Sequence, residues 1–239
     1  MLVEKLCIQR SDDTLPIVIS IVDDSFEFLK EIRYSFLHIA ELAFFDTLKF
    51  SKIQSSYLLG RYAAKMALNV FKEDVILTET RIGSGVFQQP ILYLKEAGNI
   101  QLSISHTTER AIAVVFSEEH PMGVDVEVIS AEQAETIKGI ITYREKNKLS
   151  LIDTDENKCL TILWTIKEAL SKVLKTGLMT PFHLYEIENI EHNEGAIICN
   201  FHNFPQYQSI SWISDGHAWS VVLPKKSVLN MKQLKMLHL

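Results

Sequence analysis

The chain has 239 residues, 47% hydrophobic and 23% charged, which are ordinary globular values with material for one large domain or two small ones. A net charge of −6 argues against nucleic acid as the main partner, and no apolar run approaches the roughly 20 residues of a membrane span. Cys7, Cys159 and Cys199 lie far apart without metal-ligand spacing and no signal peptide is read, so the expectation is a cytoplasmic protein that engages neither membrane nor nucleic acid.

In chain order, Leu2 to Ile8 and Ile17 to Val22 read as a strand pair separated by polar residues and Pro16. Asp23-Asp24-Ser25 supplies N-cap chemistry, with Glu27 three beyond Asp24 as in a capping box. The spacing predicts one helix through Phe28, Ile32 and Phe36 toward Ala43, and a firmer one from Ser55 to Phe71. A strand is expected between Val75 and Pro90, near the turn Gly83-Ser84-Gly85. Leu102 to Ser105 is a strand ending at His106, and Ala111 to Phe116 returns as the second arm of a hairpin.

Next comes Gly123-Val-Asp-Val-Glu-Val-Ile129, an apolar run broken only by two carboxylates two residues apart. On a strand Asp125 and Glu127 point the same way. A polar stretch from Ser130 to Lys158, helical in parts, leads to Trp164-Thr-Ile-Lys-Glu-Ala-Leu-Ser-Lys172. At helical spacing Trp164, Glu168 and Lys172 share one face. If that helix crosses the strand, three carboxylates and an ammonium converge, and an all-oxygen donor set suits a hard cation such as Mg²⁺. Two plainer readings stay open: a solvent-facing D-x-E, and a surface i,i+4 ion pair. Short strands follow around 185–190, 196–201, 209–213 and 218–223. The tail from Pro224 to Leu239, with four lysines and Leu229, Leu234 and Leu237, reads as an amphipathic helix.

Two segment pairs repeat across the halves. Lys65-Met-Ala-Leu68 matches Lys167-Glu-Ala-Leu170, and Glu109-Arg-Ala-Ile-Ala-Val-Val115 matches Gly216-His-Ala-Trp-Ser-Val-Val222. Their common order and nearly equal offset point to a duplicated α+β unit, divided as 1–118 and 119–239. A pseudo-two-fold pair places its ligand cleft between the halves. Since Met66 stands where Glu168 would, one metal-binding helix is implied.

Four segments carry a resemblance: Leu58-Leu-Gly-Arg-Tyr-Ala-Ala-Lys65, Ser103-Ile-Ser-His106, Gly123-Val-Asp-Val-Glu127 and Trp164-Thr-Ile-Lys-Glu-Ala-Leu-Ser-Lys172. In this order and spacing, over about residues 55 to 175, the chain resembles the surfactin-type 4′-phosphopantetheinyl transferases. The resemblance implies a pseudo-dimer of an α+β repeat, and the internal duplication leads to the expectation of a monomer. It also implies transfer of the phosphopantetheine arm of coenzyme A to a serine of an apo acyl or peptidyl carrier protein, with release of 3′,5′-ADP. Asp125, Glu127 and Glu168 match the Mg²⁺ ligands, and Glu168 also matches the proposed base. Lys172 matches the pyrophosphate lysine, and Ser105 with His106 match contacts to the 3′-phosphate end of coenzyme A. The family's G-K-P is here Gln88-Gln89-Pro90, and Arg61, Lys65 and Arg81 are candidate replacements for the missing cation. That loss motivates a competing reading as a non-catalytic carrier-protein binder. A third reading is a Mg²⁺-dependent hydrolase of coenzyme A or a nucleotide.

Overall fold

The computed structural model describes residues 1–229 except 12, 96, 97, 153 and 194. It divides into two compact units, Met1–Pro121 and Met122–Leu239. Both are α+β, an antiparallel sheet with a long helix laid across it.

The first unit opens with β1 (Leu2–Arg10) and β2 (Asp13–Val22), then α1 (Phe26–Phe36), α2 (Ile39–Thr47) and α3 (Ser51–Phe71). A short hairpin of β3 (Arg81–Ser84) and β4 (Pro90–Tyr93) precedes a longer one of β5 (Ile100–His106) and β6 (Ala111–Ser117). Strands β1, β2, β6 and β5 lie side by side in that order. Helix α3 crosses them, burying Leu58, Leu59, Ala63, Ala64, Ala67 and Leu68. Each large side chain so buried contributes about 1.5–3 kcal/mol.

The second unit runs β7 (Gly123–Val128), α4 (Ala131–Lys138), α5 (Tyr143–Lys148), α6 (Glu156–Val173), β8 (Ile187–Asn193), β9 (Ala196–Phe201), β10 (Tyr207–Ser214) and β11 (His217–Pro224). Its sheet order is β7-β11-β10-β9-β8, and α6 lies against β7 and β11. Asp155 caps α6 by accepting from the Lys158 amide at 3.1 Å, and Lys175 and Gly177 beyond its end turn to positive φ.

The two units share details that sequence matching alone misses. Val18–Ser25 and Gly123–Ser130 correspond without a gap. Val18 stands opposite Val115 and Gly123 opposite Val222, and the serine at each end caps a helix, Ser25 accepting from Phe28 N and Ser130 from Gln133 N. Each unit also buries a lysine of its long helix on a capping-box glutamate. Lys65 Nζ sits 3.0 Å from Glu41 Oε2, and Lys167 Nζ sits 2.8 Å from Glu145 Oε2. Glu41 reaches back to His38 N at 2.9 Å and accepts from Ile82 N at 3.0 Å. Glu145 does the same with Thr142 N at 2.8 Å and Ile187 N at 3.1 Å. Lys65 further donates to the carbonyls of Leu77 and Thr80, and Lys167 to that of Phe182. A closely similar buried network at matching points of two α+β units points to one duplicated unit.

Four expectations are corrected. The single helix toward Ala43 is two: Leu37 turns to extended backbone and His38 begins a fresh cap closed by Glu41. The α1 cap is Ser25, not Asp24 with Glu27. The strand before Pro90 is confined to Arg81–Ser84, with 77–79 in turns. Where a terminal helix was expected, Val228–Leu229 form a two-residue strand (β12), and 230–239 lie outside the described residues. No helix among the described residues is long and apolar enough to cross a membrane.

Candidate active site

The site is built where β7 and α6 touch, and Gly123 allows the approach. A Cβ there would stand 2.1 Å from the Ala169 carbonyl oxygen, so only glycine lets the α6 backbone come this close. Alternation then turns Asp125 and Glu127 to the face that α6 crosses. Val124 and Val126 are buried on the other. The buried pair at Lys167 fixes the rotation of α6. Glu168, about 100° further round the helix, is thereby presented with Trp164 and Lys172 on a common face.

Asp125, Glu127, Glu168 and Lys172 are gathered in the second unit. Lys172 Nζ donates to Asp125 Oδ1 at 2.7 Å and to the Val124 carbonyl at 2.9 Å. Glu127 accepts from Trp164 Nε1 at 3.2 Å through one oxygen and from Gln133 Nε2 at 3.1 Å through the other. Glu168 differs: its Oε1 is buried and accepts no hydrogen bond. Burial, and then the charge of Asp125, push the Glu168 carboxyl up to about 7. The same two causes raise Glu127.

Among the described residues no three His, Cys, Asp or Glu side chains form a ready-made ion cage. One Asp125 oxygen is on Lys172 and both Glu127 oxygens are on neutral donors. The donor chemistry nonetheless fits a hard cation. The charge of Asp125 raises the proton affinity of both Glu127 and Glu168, and a buried carboxylate oxygen without a donor is what a cation would satisfy.

The corresponding positions of the first unit are Ser20 and Val22 on β2 and Met66 on α3. Ser20 stands opposite Ala113 as Asp125 stands opposite Ser220, so the register is kept and the carboxylates are gone.

Ser105 and His106 end β5 in the first unit. Gly60 on α3 makes room for the His106 ring, since a Cβ there would lie 2.7 Å from His106 Cδ2. This explains the glycine of the L-L-G-R element. The three candidate replacement cations are all engaged within that unit. Lys65 is fully buried on Glu41, Arg61 lies 3.4 Å from Glu41 and over Tyr57, and Arg81 stacks on Tyr93 at 3.9 Å. Lys65 is a structural cation, neither a solvated charge nor a phosphate ligand.

Reading the sequence also missed Gln133, Glu145 and the indole N–H of Trp164. A signal existed for Glu145 in Thr142-Tyr-Arg-Glu145, a capping-box pattern. Ser130-Ala-Glu-Gln133 has the same form, but its glutamine turns to Glu127 instead of closing the box.

The model of the family "4′-phosphopantetheinyl transferase superfamily" matches residues 121–222, a span that holds all four gathered side chains. This segment, somewhat under half of the chain, is similar to that superfamily. Among solved structures, it is similar to a holo-(acyl-carrier-protein) synthase from Bacillus anthracis str. Ames in complex with CoA (3′,5′-ADP). The two are 24% identical with a TM-score of 0.38, covering 46% of this chain and 96% of that one. A holo-ACP-synthase from Plasmodium yoelii is 21% identical with a TM-score of 0.36, covering 49% of this chain and 97% of its own. No curated protein is matched. The matched segment begins just before β7 and ends within β11, so it coincides with the sheet-and-helix framework of the second unit.

Proposed function

We propose that this protein is a transferase that moves the 4′-phosphopantetheine group of coenzyme A to a serine hydroxyl of an apo acyl or peptidyl carrier protein. The observation that carries the reading is the convergence of Asp125, Glu127, Glu168 and Lys172 inside the family segment, with Glu168 raised to about 7.

The serine oxygen forms a bond to the phosphorus of the phosphopantetheine arm, and the bond from that phosphorus to the bridging pyrophosphate oxygen breaks. 3′,5′-ADP leaves with the bond's electron pair. A serine hydroxyl is a weak nucleophile, and Glu168, with a proton affinity near neutrality, is suited to take its proton. Asp125, Glu127 and Glu168 would hold Mg²⁺, which when bound supplies charge neutralisation at the pyrophosphate oxygens. Lys172 pairs with Asp125 at 2.7 Å and brings a positive charge for the same oxygens. By the resemblance, Ser105 and His106 serve the adenosine 3′-phosphate end.

The test is incubation of the protein with coenzyme A, Mg²⁺ and a panel of apo carrier proteins, read by intact mass. A carrier that gains the phosphopantetheine mass is the expected result. No gain by any carrier, with coenzyme A intact, would contradict the assignment.

A further inference from the structure

Glu127 is held differently from the other two carboxylates, and the difference has a purpose within the proposed reaction, on which this inference rests. We infer that Gln133 and Trp164 are positioning residues that fix the orientation of Glu127 toward the cation. Both donors are neutral. An amide and an indole N–H each direct a carboxylate oxygen without cancelling its charge, whereas the ammonium on Asp125 is a counter-ion. Glu127 is thus oriented while its negative charge stays available.

Each donor is itself anchored by an element outside the two motifs. Gln133 is fixed in the first turn of α4, its own amide donating to Ser130 Oγ at 3.2 Å. Trp164 stacks on Phe182 with centroids 4.9 Å apart and planes at 19°. The Phe182 carbonyl accepts from Lys167, which Glu145 holds in place. Contacts therefore run from the buried ion pair through Phe182 and Trp164 to Glu127.

The duplication supplies an internal comparison. In the first unit the positions of Glu127, Gln133 and Trp164 are Val22, Phe28 and Tyr62. There the carboxylate is absent, and so are the amide and the indole N–H. The helix caps, the strand register and the buried lysine pair are kept in both units. The two donors therefore go with the carboxylate, not with the fold. Partners of this kind typically alter metal affinity about 10- to 100-fold when removed.

The experiment compares wild type with Trp164→Phe, which keeps the stack on Phe182 and removes only the N–H, and with Gln133→Leu and the double variant. Mn²⁺ is the probe, its bound fraction read by electron paramagnetic resonance with coenzyme A present and a protein-free coenzyme A control. The expected result is about a tenfold or greater loss of Mn²⁺ affinity in the double variant. Its melting temperature should stay close to wild type, and transfer should recover as Mg²⁺ is raised. If Trp164→Phe does not fold, Gln133→Leu alone decides by the same readout. Unchanged Mn²⁺ affinity against a wild type that binds the ion overturns the positioning role and leaves the proposed function standing. A wild type that binds no Mn²⁺ overturns both.

Discussion

In the proposed reaction Glu168 both ligates and accepts a proton, and ligation makes an oxygen less basic. Glu168→Gln keeps the shape and one oxygen but loses the charge and the proton acceptor. If Glu168 is the base, single-turnover transfer should fall about 10²–10⁴-fold and raising Mg²⁺ should not restore it. Recovery near the wild-type rate would reduce Glu168 to a ligand. The raised carboxyl also has a consequence for stability without metal. Below the ordinary glutamate value of 4.5, folded and unfolded states both hold the proton. Between there and about 7 the unfolded chain releases it while the folded one retains it, so stability falls as pH rises through that window, by on the order of 2–3 kcal/mol. Melting curves of the metal-free protein from pH 4.5 to 8 should show this decline, and Glu168→Gln should flatten it. His106 offers a third check at this scale. With the 3′-phosphate as its partner, His106→Ala raises the apparent KM for coenzyme A and leaves dephospho-coenzyme A nearly unaffected. Equal effects on both substrates would place His106 elsewhere in the reaction.

At the scale of elements, the site depends on how closely α6 lies on β7. Gly123→Ala must push the helix off the strand, because the new methyl meets a main-chain carbonyl and not a movable side chain. The expected cost is about 1–3 kcal/mol in denaturant unfolding, together with loss of transfer. Wild-type stability would mean that the two backbones are further apart than described. The buried pairs make a second test. Burial pushes Lys65 and Lys167 down and their glutamates oppose it, so Glu41→Gln and Glu145→Gln each leave an ammonium buried without a counter-charge. Each should cost about 3–5 kcal/mol. These elements also show the reach of the sequence. The alternation at Asp125 and Glu127 and the helical spacing of Trp164, Glu168 and Lys172 were legible, because both follow from backbone period alone. The role of Lys167 was not. A lysine on the core face reads as a surface charge until Glu145 is brought from another helix to meet it.

For the molecule as a whole, the duplication was legible in two short matches, but its best witnesses are tertiary. They are the paired glutamate networks and a strand register kept from Val18 opposite Val115 to Gly123 opposite Val222. No propensity reveals such contacts, since each joins residues distant in sequence. The two units also differ where the proposed chemistry lies: Ser20, Val22 and Met66 stand at the carboxylate positions and carry none of their charge. The transfer reading is tested most directly by stoichiometry. With coenzyme A and Mg²⁺ supplied and the apo carrier varied down to zero, holo-carrier and free 3′,5′-ADP are quantified in the same samples. The account predicts one 3′,5′-ADP for each holo-carrier formed and none without carrier. Release of 3′,5′-ADP in the carrier-free sample at the rate seen with carrier would contradict it and make the protein a hydrolase.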